Sequence, residues 1–302
     1  MKVAVTGSSG LIGGRLVPAL RDDGHDVLRL VRRTPRTADE HRWAPQHRRI
    51  DPALLADVDA VVNLAGTPIR PRPWTAGYKR SLVQSRLDST TTVAEAFAAA
   101  AAADPGRRRV LLSGSAVGFY GDTGDRPIDE SAPGGDDFLA RLCADWEAAT
   151  GPAAAAGIRV ALLRTGLVLG RGAMLTDVLG RVFRAGLGGR FGSGRQFWPW
   201  IALADEVAAI RFLLTCDVSG PVNLTAPRPV TNAEFTEALG RVVRRPTLLN
   251  VPAFAISLGL GEFGRSSVLA GQRAEPAALT AAGFDFRYRD VESALREALG
   301  RG

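Results

Sequence analysis

The 302-residue chain has a formal net charge of +7, with 46% hydrophobic and 23% charged residues, a balance expected of a soluble globular protein. Lys2 and Lys79 are its only lysines, and its arginines cluster only at 32–36, 107–109 and 241–245, which reads as compositional bias and argues against a nucleic-acid-binding stripe. With no long uncharged apolar run, no secretory pattern in MKVAVTG and only Cys143 and Cys216, neither a membrane partner nor a metal is expected, and the expected location is cytoplasmic.

KVAVT at 2–6 is a β-branched apolar run closed by glycine, which predicts a buried strand. Apolar residues at 12, 16, 17 and 20 then recur at helical spacing, and Gly24 stops that helix. HDVLRLV at 25–31 predicts the second strand, followed by a polar stretch over 32–57 with one short strand near 48–50. DAVVNLAG at 59–66 reads as an interior strand, 75–102 as a helix, RRVLLSG at 108–114 as a strand and 137–150 as a helix. IRVALLRTGLVLG at 158–170 reads as one further strand. This alternation predicts a Rossmann-type α/β fold, a doubly wound parallel sheet with right-handed crossovers.

Beyond Gly170 the pattern changes. Residues 185–200, AGLGGRFGSGRQFWPW, are dense in glycine and aromatics, 203–215 are helical, and PVNLT at 221–225 predicts a strand returning to the main sheet. The expected organisation is a dinucleotide-binding domain over 1–170, rejoined by 200–225, and a smaller C-terminal α+β substrate domain over 171–302.

GSSGLIG spaces glycines at 7, 10 and 13 between the first strand and the first helix. Gly7 permits the turn, Gly10 lets a pyrophosphate approach the backbone, and Gly13 lets the helix pack on the sheet. Ser9, Leu11 and Ile12 complete the loop. An acidic residue about 20 positions on would favour NAD. The second strand offers Arg32 and Arg33 instead, and guanidinium groups suit the 2′-phosphate of NADP. The bland alternative is two solvated surface arginines.

With GSSGLIG, DAVVNLAG and SGSAVGFYG, the chain resembles the extended short-chain dehydrogenase/reductases, the class that includes sugar-nucleotide epimerases. It looks closest to the atypical "epimerase family" branch, through QSRLDSTTT, DDFLARLCADWEAA, LRTGLVLG, GLGGRFGSGRQFWPWI and LAGQRAEPAALTAAGFDFRY. The resemblance implies that NADP lies across the strand ends, that Leu64, Ala65 and Gly66 line it, and that Arg86 reaches a phosphate or the substrate. It also implies a catalytic serine, matched by Ser115 with Ser113 as the near alternative, and a Tyr-x-x-x-Lys pair.

That pair is missing. Four positions beyond Tyr78, Tyr120 and Tyr288 stand Leu82, Gly124 and Glu292, and the matching helix carries Leu139 and Cys143 instead. Related sequences tend to carry histidine where this chain has Ala202, followed by the aspartate matched by Asp205. Two readings follow. One is an NADP(H)-dependent oxidoreductase or epimerase-like enzyme in which Ser115 polarises a carbonyl and Tyr120 or a water supplies the proton. Arg195, Gln196 and Trp200 would then contact a small carbonyl or sugar-like substrate, with Trp198 and Trp200 alternatively packing a domain interface. The other is a cofactor-binding sensor without turnover. A homodimer is left open. A serine hydrolase is excluded, because neither serine lies in G-x-S-x-G and His25, His41 and His47 all lie on early segments.

Overall fold

The structure is a computed structural model that describes residues 1–300. Seven parallel strands form the central sheet: β1 (Lys2–Thr6), β2 (Asp26–Val31), β3 (Glu40–Arg42), β4 (Ala60–Asn63), β5 (Val110–Ala116), β6 (Arg159–Thr165) and β7 (Gly220–Leu224). Their spatial order is β7-β6-β5-β4-β1-β2-β3, so the order reverses between β1 and β4. At such a switch point the chain leaves adjacent strands toward opposite faces and opens a crevice. Val3, Val5, Val62, Leu112 and Leu163 pack on one face with α1 (Gly13–Asp22) and a later helix, Leu203–Thr215. Ala4, Val61 and Leu111 pack on the other face with α2 (Ala76–Ala103).

Three strand boundaries differ from the sequence expectation. The third strand is Glu40–Arg42, paired with β2, whereas Arg49 makes only an isolated antiparallel bridge to Ala44. Arg29 and Arg33 both pair with the buried carboxylate of Glu40, which fixes that segment to the sheet edge. The expected strand over 158–170 breaks at Gly166, where a Cβ would stand 2.5 Å from the Pro199 carbonyl oxygen. Its second half, Leu167–Leu169, pairs with Trp200–Ala202 instead. The glycine-rich stretch contains a strand of its own, Gly189–Phe191, paired with Leu249–Val251.

The C-terminal residues build a smaller core around Trp198, Trp200, Phe235 and Leu295. Three helices frame the cavity described below: α3 (Phe138–Ala148), α4 (Met174–Arg184) and α5 (Ala253–Phe263). Among the described residues no helix is long and apolar enough to cross a membrane.

Candidate active site

The glycine loop has the form its spacing predicts. Gly7 turns the chain at φ +65, and a Cβ there would lie 2.7 Å from the Leu64 carbonyl oxygen, so both conformation and space demand glycine. A Cβ on Gly13 would lie 2.8 Å from Ser8 Cα. Helix α1 starts with no side-chain cap and no acidic residue in its first turn. Its leading amides and dipole face outward beside the exposed Ser9 and Gly10, an arrangement suited to a phosphate anion. Leu11 and Ile12, both half-buried, continue the turn. Thr6 accepts hydrogen bonds from the amides of Leu64 and Ala65 at 3.0 and 3.1 Å, which clamps the end of β4 to this loop. Gly66 lies against the Arg86 side chain. Residues 7–13, 64–66 and Arg86 therefore gather around one crevice.

The two arginines after β2 are not equivalent. Arg33 donates to both carboxylate oxygens of Glu40, at 2.7 and 2.6 Å, and these bonds hold that carboxyl down at about 2. Arg32 is exposed and has no hydrogen-bond or ion-pair partner among the described residues. Arg32 is therefore the less engaged of the two, while Arg33 keeps its guanidinium on Glu40 with its side chain still 44% exposed.

A cavity of about 440 Å³ opens beyond the carboxyl ends of β5 and β6, where open α/β sheets bind ligands. Ala116, Val117 and Gly118 follow β5 into its wall, and Thr165, Gly166 and Leu167 follow β6. Helix α3 contributes Leu139, Leu142, Cys143 and Trp146, while α4 and α5 close the far side. Leu139 and Cys143 stand where the resemblance expected the tyrosine and lysine. Burial pushes the Cys143 thiol up to about 12, so it is a protonated wall residue and no nucleophile.

Ser115 and Tyr120 are absent from this lining and belong to a buried polar chain behind it. Ser115 Oγ donates to Glu147 at 2.6 Å. Arg164 holds Glu147 through two bonds at 2.8 and 2.9 Å and donates to Tyr120 Oη at 2.9 Å. Tyr120 in turn donates to Asn223 at 2.7 Å. Burial raises the tyrosine's pKa against the pull of Arg164. Tyr120 is thus held by Arg164 and Asn223, outside the cavity lining. Ser113, the near alternative, is fully buried, with a hydroxyl that finds no partner.

Thr165, whose hydroxyl is bonded at 2.9 Å to Glu206, does line the cavity at the end of β6, as Ser266 and Ser267 do elsewhere in its wall. Glu206 is fully buried and its other carboxyl oxygen has no partner. Burial pushes its pKa up to about 8, so the carboxyl is neutral at pH 7. Thr165 Oγ1 donates to Glu206 Oε1, and the Leu163 carbonyl stands as a second, longer acceptor at 3.4 Å. Ser115 donates to a carboxyl in the same way, but its partner Glu147 is ion-paired with Arg164 and the serine lies outside the cavity lining.

The expected substrate contacts at 195–200 lie elsewhere. Trp200 is fully buried and its indole donates to the Arg228 carbonyl. Gln196 donates to the carbonyls of Phe191 and Val268, bracing two segments of the small core. Arg195 is exposed and outside the lining. Glycine and aromatic density drew attention to this stretch, and Phe191, Phe197, Trp198 and Pro199 do reach the cavity, while Trp200 turns inward as core. Asp205 accepts the amides of Arg287 and Tyr288, so it ties down the C-terminal segment, and Ala202 is buried beside it.

Sequence reading missed Glu147, Arg164, Thr165 and Glu206. One signal was available: an arginine inside RVALLRT, a strand buried on both faces, requires a carboxylate partner from another element. Nothing in the sequence named that partner.

A family model described as the NAD dependent epimerase/dehydratase family matches residues 3–224, and a domain of unknown function (DUF1731) matches 251–298. An "Epimerase family protein" of Mycobacterium tuberculosis is 49% identical over 300 residues, covering 99% of this chain and 98% of that protein. The crystal structure of human epimerase family protein SDR39U1 with NADPH matches at TM-score 0.84 and 31% identity, covering 99% of both chains. A nucleoside-diphosphate sugar epimerase structure from Corynebacterium glutamicum matches at TM-score 0.81 and 37% identity, with this chain spanning 58% of its length. The UDP-glucuronic acid 4-epimerase of Bacillus cereus, with UDP-glucuronic acid and NAD, shares the fold at TM-score 0.76 and 16% identity.

Proposed function

The chain belongs to the NAD dependent epimerase/dehydratase family, and from that premise we propose that it is an NADP(H)-dependent oxidoreductase acting on a small carbonyl compound without a Tyr-x-x-x-Lys pair. The observation that carries the reading is a glycine loop at the end of β1 together with a cavity at the ends of β5 and β6, linked through Gly66, which lies against the lining residue Arg86. An uncapped α1 N-terminus and the unpartnered Arg32 suit a diphosphate and a 2′-phosphate, and a cavity stands at the ends of β5 and β6. The NADPH bound by the human relative supports the same cofactor here. When bound, that cofactor would supply or accept hydride. Gly7, Gly10 and Gly13 would hold its pyrophosphate, Leu64, Ala65 and Gly66 would border it, and Arg32 would meet the 2′-phosphate.

The protein's own part is to hold the carbonyl and provide a proton. Thr165 Oγ1 is the hydroxyl at the cavity wall; it would exchange its bond to Glu206 for one to the carbonyl oxygen, with the protonated Glu206 behind it as the proton store and water as the final source. Ser115, engaged by Glu147, positions the strand end and the helix that forms the opposite wall. The test is NADPH binding, followed by loss of NADPH absorbance across a carbonyl panel. Turnover that Thr165→Val abolishes and Ser115→Ala largely spares supports this assignment. The reverse pattern returns the role to Ser115.

A second reading, a cofactor-binding sensor without turnover, is favoured by one observation: Leu139 and Cys143 leave the tyrosine and lysine positions apolar and inert. Tight NADPH binding with no consumption for any carbonyl, in wild type and both variants, selects it.

A further inference from the structure

We propose that the cavity takes an amphiphile with a single small polar head, a carbonyl or carboxyl group on a hydrocarbon body, and excludes nucleotide sugars. This deepens the oxidoreductase reading and rests on it for the orientation of the reacting carbon.

Arg86 is the only charged residue in the lining. It is more than nine-tenths buried, stacks on Trp146 at 4.9 Å, and gives Nη1 to the carbonyls of Thr67 and Leu82. Among the described residues its Nη2 has no partner, and its Nε, sealed from the cavity, has none either. One cation with a spare Nη2 matches one polar head. A sugar diphosphate brings two phosphates and a ring of hydroxyls, each of which loses hydration on entry and needs a protein partner.

The remaining lining cannot provide those partners. Among the described residues the side-chain partners left are the Thr165 hydroxyl, which the single head group would take, and Ser266 and Ser267, since Gln272 donates to the Gly121 carbonyl at 2.6 Å. The rest of the wall is apolar, and the apolar character continues out to the surface. Met174 and Val178 line the cavity while remaining 47% and 40% exposed. Opposite them Ile256, Leu260 and Phe263 of α5 turn inward, and Gly261 breaks that helix at φ +59. An apolar mouth leading to an apolar chamber with one buried cation fits a hydrocarbon chain entering tail outward, head toward Arg86. The volume, about 440 Å³, lies in the range of small-molecule sites.

The experiment uses the full chain and cis-parinaric acid, a fluorescent polyene carboxylate. The probe is expected to bind at one site, to be displaced by dodecanal and to be unaffected by UDP-glucose. Val178→Asp and Leu260→Arg each place a charge in the apolar path and are expected to weaken probe binding at least about tenfold. Leu258→Asp, on the 84% exposed outer side of α5, is expected to leave it unchanged. NADPH binding, followed by its own fluorescence, is measured on every variant. Displacement by UDP-glucose but not by dodecanal overturns the proposal, as does a chain that binds NADPH yet takes up no probe. If the probe binds and NADPH does not, the amphiphile assignment stands and the cofactor reading fails.

Discussion

The two sides of the crevice are built on opposite principles. At the α1 end the backbone forms the site: glycines bring main-chain amides to the surface, and the only side chain required is a cation without a partner, Arg32. At the β5–β6 end side chains form it, and their polar groups are turned away from the cavity toward one another, Ser115 to Glu147 to Arg164 to Tyr120 to Asn223. The first side can be read locally, because a turn and a helix start depend on adjacent residues. The second depends on partners far apart in the chain, so an attractive serine or tyrosine reveals nothing until its neighbour is known.

The sharpest way to break this contrast is to unpair the buried chain. Arg164→Met leaves Glu147 buried without its cation and is expected to cost about 3–5 kcal/mol in urea unfolding. A loss near zero would mean that the cluster is solvated and Ser115 is free. Next comes Glu206, whose folded pKa of about 8 lies above its ordinary 4.5. The raised pKa makes the folded state favour the proton, so this stability is fully present below about pH 4.5 and is lost as pH rises through about 8. Glu206→Gln should therefore stabilise the protein increasingly across that window, by up to a few kcal/mol, with little effect at pH 4. Melting temperatures across pH would show it, and a pH-independent difference would place the carboxyl in water.

On the backbone-built side, Gly13→Ala drives a Cβ into Ser8 and Gly7, and about 1–3 kcal/mol of destabilisation with loss of NADPH binding is expected. Normal binding by this variant would show that the loop is looser than its geometry. The smallest change in stability, and the finest discrimination, comes from the arginines. Arg32→Ala should lower NADPH affinity about tenfold or more relative to NADH, the size of one charge-assisted bond. Arg33→Ala should leave that ratio nearly unchanged, because its guanidinium belongs to Glu40. Equal effects from the two variants would erase the distinction drawn between them.

The sequence by itself determined the parallel sheet, the phosphate loop and the absence of the tyrosine–lysine pair. Each is written in neighbouring residues: strand periodicity, glycine spacing, the identity of Leu139 and Cys143. It placed Ser115 at a strand end next to the cavity, but could not show that its hydroxyl faces Glu147. It pointed to the 195–200 loop for the substrate, whereas Trp200 closes the small core and the wall comes from α3, α4 and α5. Tertiary structure alone decided which polar groups are engaged and which remain free, because a hydrogen bond between residues 17 to 103 positions apart leaves no periodic mark on the chain. Arg32 and Arg33 are one residue type in one local setting, and Thr165 and Ser115 are both hydroxyl residues near the ends of adjacent strands. Only the group each one meets in the folded protein separates them.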